Sequence, residues 1–152
     1  MTDRPVALVT GSSRGIGRAV LERLSESHDC VVHYRSNLME AEKVATRIRD
    51  RGARAMVVCA DIGSEQDIDA MFEQIGREFG RLDVLVASAA ATKFASLNHT
   101  QRHHLERTLS AVVLSYHQMV LRMMPLMGDA ARIVAISGLD ARFAQAGHGA
   151  LG

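Results

Sequence analysis

Residues 5–19 read Pro5-Val6-Ala7-Leu8-Val9-Thr10-Gly11-Ser12-Ser13-Arg14-Gly15-Ile16-Gly17-Arg18-Ala19, and the reading of this stretch organises the rest of the chain. Pro5 to Thr10 is a short apolar run rich in β-branched residues and closed by glycine, the pattern of a buried strand. From Ile16 the apolar positions change period. Ile16, Val20, Leu21 and Leu24 fall on one face of a helix. A strand, a turn carrying three glycines and a helix therefore follow one another directly.

Outward from this unit the same alternation repeats. Cys30 to Tyr34 reads as a second strand, and Ser36 or Asn37 caps a helix running to about Arg51, with Gly52 as its stop. Ala55 to Ala60 is a third strand. Ser64 to Asp67 resembles a capping box, with Asp in place of the longer Glu or Gln. The helix it opens carries Ile68, Met71, Phe72, Ile75 and Phe79 and ends before Gly80. Leu82 to Ser88 is a fourth strand, Gln101 to Met127 one long helix, and Ala131 to Ser137 a fifth strand. Strands apolar on both faces, separated by amphipathic helices, predict a parallel sheet covered on both sides. Right-handed crossovers then favour an α/β Rossmann-like, doubly wound order 3-2-1-4-5 in one domain over residues 1–152, with ligands at the carboxyl ends of the strands where the winding reverses.

Composition narrows the function classes. At 152 residues, 47% hydrophobic and 23% charged, the chain has the makings of one ordinary globular domain. Eighteen basic against seventeen acidic residues leave a net charge of +1, without the basic stripe that a nucleic-acid backbone requires. No apolar run is long enough to span a bilayer, and Met1 to Pro5 lacks the apolar core of a signal peptide. A cytoplasmic protein is expected, binding neither nucleic acid nor membrane. Cys30 and Cys59 have no metal-ligand spacing and read as buried structural thiols. His99 and His103 can share a helical face, but Glu106 is the only acidic partner near them. The segment reads as a solvated helix start, and no metal is expected.

The glycine turn carries the chemistry. Gly11 permits a tight turn off the strand, Gly15 allows backbone to approach a pyrophosphate, and Gly17 allows close packing of the helix. The helix N-terminus then presents free N–H groups and a partial positive charge to phosphates.

With Thr10 in front, the spacing G-x-x-x-G-x-G resembles the T-G-x-x-x-G-x-G signature of the short-chain dehydrogenase/reductase family, 3-oxoacyl- and enoyl-thioester reductases among its members. The similarity runs along essentially the whole chain. Asp61-Ile62 is similar to the family's Asp-Val pair, which meets the adenine. Leu82 to Val86 resembles the strand before its Asn-Asn-Ala-Gly motif, and Arg132 to Ser137 its fifth strand. At the end of strand 2, where NAD proteins place a carboxylate, stands Arg35; it and Arg14 match a 2′-phosphate and favour NADP over NAD. The expected cofactor contacts are Gly11, Ser13, Arg14, Gly15, Ile16, Gly17, Arg35, Ser36, Asp61, Ile62 and Ser88.

The resemblance implies hydride transfer to or from a carbonyl or enoyl substrate, assisted by a Ser, Tyr, Lys and Asn set. Here the sequence departs from the pattern. Ala87-Ser88-Ala89-Ala90 replaces Asn-Asn-Ala-Gly, Ser110 stands at the helix Asn, and Gly138 takes the second place of the Ser-Ser pair. Leu151 occupies the usual Tyr position, and the partner Lys falls beyond Gly152. Of the two lysines, Lys43 lies on the wrong side of the nucleotide, and Lys93 has no Tyr beside it. Ser137 is the expected oxygen-steering residue, and His148, at a variant Tyr spacing, the candidate proton carrier. The expectation is a sheet truncated after strand 5, serving either as part of an NADP-dependent oxidoreductase or as a non-catalytic dinucleotide-binding module or inactive fragment. The long helix, apolar nearly all round, carries Met119, Met123, Met124 and Met127 and is expected to form a homo-oligomer contact.

Overall fold

Strands without a polar face need cover above and below, and the architecture supplies it across most of the sheet. The computed structural model describes residues 4–90, 95–138 and 142–143. Strands β1 (Val6–Val9), β2 (Asp29–Tyr34), β3 (Ala55–Cys59), β4 (Val84–Ala87) and β5 (Arg132–Ala135) are all parallel, in the order β3-β2-β1-β4-β5. The doubly wound order read from the sequence is the order found. Val9 lies opposite Val32 on one side and Val86 on the other, so the carboxyl ends of β1, β2 and β4 share one edge.

Side chains alternate across β1 with the period of two that a strand imposes. Ala7 and Val9 pack with Cys30, Val32 and Leu21 of α1 (Gly15–Leu24), and with Ala41, Val44, Ala45 and Ile48 of α2 (Leu38–Asp50). Val6 and Leu8 point the other way, onto Ile68, Met71, Phe72 and Ile75 of α3 (Glu65–Phe79) and Met119 and Met123 of α5 (Ser115–Met123). Each large side chain buried in these layers contributes roughly 1.5–3 kcal/mol. Among the described residues no helix is long and apolar enough to cross a membrane.

Helix ends follow local chemistry. Asn37 Oδ1 accepts from Glu40 N–H at 3.2 Å, opening α2. Ser64 Oγ accepts from Asp67 N–H at 3.2 Å, as a cap should, but the return half of the expected box differs. The amide of Ser64 itself donates to the Asp61 carbonyl at 2.9 Å, which leaves Asp67 free for other partners. Its carboxylate instead takes Ser64 Oγ–H at 3.0 Å and Asp61 N–H at 2.9 Å, stitching the end of β3 to α3. Gly80 closes α3 at φ 69°.

Three expectations change. The single helix over 101–127 is interrupted: α4 (Arg102–Leu109) passes into a π-helical segment Ser110–Leu114, then α5, then a 3₁₀ turn Met124–Leu126 containing Pro125. Thr108 Oγ1 donates back to His104 O at 2.9 Å and Ser115 Oγ to Ala111 O at 2.8 Å, bonds that bend a helix, and they bracket the break. Cys59 is exposed, whereas Cys30 is buried as expected. The reason is position: β3 is an edge strand and Cys59 its last residue. β5, at the opposite edge, leaves Val134 48% exposed, so the described residues do not cover both of its faces.

Candidate dinucleotide site

Where β1 ends, its backbone must turn sharply and leave room beside it. Gly11 and Gly15 do so at φ 69° and 57°, values that side-chain-bearing residues rarely adopt. A Cβ on Gly17 would lie 2.7 Å from the Gly11 carbonyl oxygen, so the loop folds back onto the first turn of α1 with no space to spare. That contact refines the expected role of Gly17, which admits the loop itself. Around Gly15 there is open space instead. Arg14 occupies the N-cap position of α1 without a capping side chain, and no acidic residue stands in the first turn.

Thr10, fully buried, fastens this loop to the neighbouring strand. Its N–H donates to Val86 O at 3.0 Å, and its Oγ1 accepts from both Ser88 N–H and Ala89 N–H at 3.0 Å. On the other side His33 holds the loop to β2 and β3. Gly11 N–H donates to His33 Nδ1 at 2.8 Å, His33 Nε2 lies 3.0 Å from Ala60 O, and His33 N–H donates to Ser12 Oγ at 3.0 Å. Burial pulls the His33 pKa below its ordinary value, outweighing the bond to Ala60 and the Asp61 carboxylate, so the ring is neutral at physiological pH.

A cleft of about 680 Å³ opens at this edge of the sheet. It gathers ten of the eleven expected cofactor residues: Gly11, Ser13, Arg14, Gly15, Ile16, Gly17, Arg35, Ser36, Ile62 and Ser88. Asp61 lines an adjoining pocket of about 320 Å³ with Arg35, Arg107 and Ser110, and its Oδ1 accepts from Gly63 N–H at 2.9 Å. Ser110 opens the π segment and points its Oγ–H at Gly63 O, 3.4 Å away.

Of the expected catalytic residues, Ser137 is exposed just beyond β5; Ile136 before it lines the cleft and donates its N–H to Ala87 O at 2.9 Å. His148 lies outside the described residues, as do Lys93 and Leu151. In the histidine-rich segment, His104 Nδ1 accepts from Gln101 N–H at 3.1 Å at the start of α4, and His99 Nδ1 lies 3.0 Å from Ser96 Oγ. Among the described residues no group of three or more His, Cys, Asp or Glu is arranged to hold a metal ion.

Sequence reasoning passed over His33, Tyr34, Asn37 and Glu40, which also line the cleft. Asn37 and Glu40 could have been found, because they are the cap and a first-turn residue of α2, directly after Arg35 and Ser36. Lys43 Nζ sits 2.7 Å from Glu40 Oε1, and this hydrogen bond and charge hold the Glu40 carboxyl below its usual pKa.

Residues 5–150 match the family model described as short chain dehydrogenase. The chain is 33% identical over 135 residues to 1-cyclohexenylcarbonyl-CoA reductase of Streptomyces collinus, covering 88% of this chain and 48% of that protein. Among solved structures, the landomycin C-6 ketoreductase LanV with bound NADP and rabelomycin superposes with a TM-score of 0.87 at 31% identity, over 94% of this chain and 61% of that one. A short-chain dehydrogenase/reductase from Serratia marcescens gives 0.91 at 29% identity, over 97% and 61%. The chain spans about half the length of the curated relatives it matches.

Proposed function

The chain belongs to the short-chain dehydrogenase family, and from that premise we propose that its cleft binds NADP(H) for hydride transfer to or from a carbonyl or enoyl group of a small molecule. The observation that carries this reading is the cradle. Backbone with no Cβ at Gly15 faces open space beside an uncapped helix N-terminus, in one cleft with two guanidinium groups. Oriented amides at a helix start suit a diphosphate, and paired arginines suit a 2′-phosphate better than a diol. The residues present therefore fit the group.

Ser13, Gly15, Ile16 and Gly17 would hold the diphosphate through backbone and hydroxyl donors, with Gly11 setting the turn. Arg14, Arg35 and Ser36 would take the 2′-phosphate. Asp61 and Ile62 would bracket the adenine, and Ser88 would line the passage toward the nicotinamide. When bound, the nicotinamide supplies or accepts the hydride. Ser137 would steer the substrate oxygen and His148 carry a proton, roles that rest on their place in the sequence.

A second reading is a dinucleotide-binding module without catalysis. It is favoured by Ala87-Ser88-Ala89-Ala90 and by Ser110, whose hydroxyl is directed at Gly63 O where the family pattern has an amide side chain. For partners, we place self-association on the exposed apolar side of α4 and the π-helical segment that follows it, where Leu109 and Val113 are each 54% exposed.

Titrating NADPH and NADH into the chain and into Arg35→Ala, with turnover of ketones and enoyl thioesters on the same samples, tests the proposal. The expected result is an NADPH preference that Arg35→Ala abolishes by weakening NADPH selectively. Equal loss for both nucleotides would refute the 2′-phosphate assignment. Binding without turnover would leave the module reading.

A further inference from the structure

A neutral imidazole carries one donor and one acceptor, and at His33 the surroundings decide which nitrogen is which. Gly11 N–H can only donate, and it meets Nδ1 at 2.8 Å. The Ala60 carbonyl can only accept, and it lies 3.0 Å from Nε2. Both contacts require the same tautomer, with hydrogen on Nε2. The backbone of the same residue donates to Ser12 Oγ, so His33 engages two consecutive residues of the glycine loop. The ring is 2% exposed and is closed in by the loop on one side and the end of β3 on the other.

We infer that His33 is a positioning residue for the phosphate loop: its neutral ring fixes the Gly11 amide, and through Gly11 the placement of the α1 N-terminus. Transmission is short. The Gly11 carbonyl lies against Gly17 so closely that a Cβ there would come within 2.7 Å of its oxygen. A displacement of Gly11 therefore cannot be absorbed before it reaches the first turn of α1. Thr10 clamps the β4 side of the same peptide stretch, which leaves the His33 side as the place where the loop's register is set. The inference rests on the dinucleotide reading of the cleft.

The experiment compares the full chain with His33→Phe, which fills the ring's volume but offers no nitrogen, and with His33→Asn, whose Oδ1 can accept from Gly11. Each is titrated with NADPH, which carries the diphosphate bridge, and with adenosine 2′-monophosphate, which lacks it and meets only Arg35, Ser36 and the Arg14 guanidinium, whose long side chain can follow a shift of its backbone. His33→Phe is expected to weaken NADPH about ten- to hundredfold and adenosine 2′-monophosphate by less than about twofold. His33→Asn is expected to recover most of the loss. Equal weakening of both ligands by His33→Phe, no weakening of either, or no recovery in His33→Asn would overturn the inference. Should the unmodified chain bind neither ligand, the dinucleotide reading fails. The ring's role is then decided by ¹⁵N NMR, which should show an unprotonated Nδ1 and a slowly exchanging Gly11 amide that His33→Phe makes fast. A protonated Nδ1, or unchanged Gly11 exchange in His33→Phe, overturns it independently of any nucleotide.

Discussion

Two glycine-to-alanine substitutions should move stability in opposite directions. Gly17 and Gly76 both sit in helices, so replacing either with Ala gains the same intrinsic preference, about 0.5–1 kcal/mol. Their surroundings differ. At Gly76 the added methyl would meet Leu126 Cδ2 at 3.5 Å, an ordinary contact with the end of a flexible side chain. At Gly17 it would meet Gly11 O at 2.7 Å, Gly11 C at 3.0 Å and Ser12 Cα at 3.2 Å, all of them backbone. That backbone is anchored by the His33 and Thr10 hydrogen bonds and cannot yield without breaking one. Overpacking of this kind costs roughly 1–3 kcal/mol, which exceeds the helix gain. Urea unfolding should therefore find Gly76→Ala more stable by about 0.5–1 kcal/mol and Gly17→Ala less stable by about 1–2 kcal/mol. The corresponding shifts in Tm are roughly 2–4 °C per kcal/mol for a chain of this size. Gly17→Ala should also lose nucleotide affinity, and Gly76→Ala should not. Stabilisation by Gly17→Ala, or equal shifts for the two, would refute the close-approach argument.

Thr10→Val preserves shape but removes the oxygen that accepts from Ser88 and Ala89, and should cost about 2–3 kcal/mol in denaturant unfolding; a loss below half a kcal/mol would show the clamp to be dispensable. His33 titrates below 6.5 in the folded chain, so the unfolded chain takes up more protons as pH falls through that value. Its contribution is complete above 6.5 and is lost on going lower, at up to about 1.4 kcal/mol per pH unit; His33→Asn should flatten that slope, and an unchanged slope would assign it elsewhere. Burial pushes the Cys30 thiol up to about 12, whereas Cys59 is exposed, so a thiol reagent should label Cys59 quickly and Cys30 only on unfolding. Two fast thiols in the folded chain would contradict that arrangement.

What was legible in the sequence was whatever periodicity and turn chemistry record locally. The five strands, the α1 to α3 faces and the order β3-β2-β1-β4-β5 follow from apolar runs alternating with helical spacing, because a parallel sheet leaves few ways to wind them. Gly11, Gly15 and Gly17 were legible for the same reason, since each answers a local backbone demand. What stayed hidden depends on contacts between distant residues. A histidine inside Val31-Val32-His33-Tyr34 gives no sign that its ring meets Gly11, twenty-two positions earlier. Nor does Thr10 announce its bonds to Ser88 and Ala89. The break at Ser110–Leu114 was missed because apolar periodicity continues through it, while the Thr108 and Ser115 hydroxyls beside it bond back to the helix backbone. Cys59 was misplaced because burial on a strand depends on edge position as well as residue type.

The central claim, that the amides opening α1 grip a dinucleotide diphosphate, is tested most directly by following backbone amide resonances while NADPH is added. Ser13, Gly15, Ile16 and Gly17 should shift saturably together with the Arg35 side-chain signals, while the amides of α3 on the opposite face of the sheet stay in place. Saturable shifts confined to other surfaces, or none at the loop, would contradict the claim.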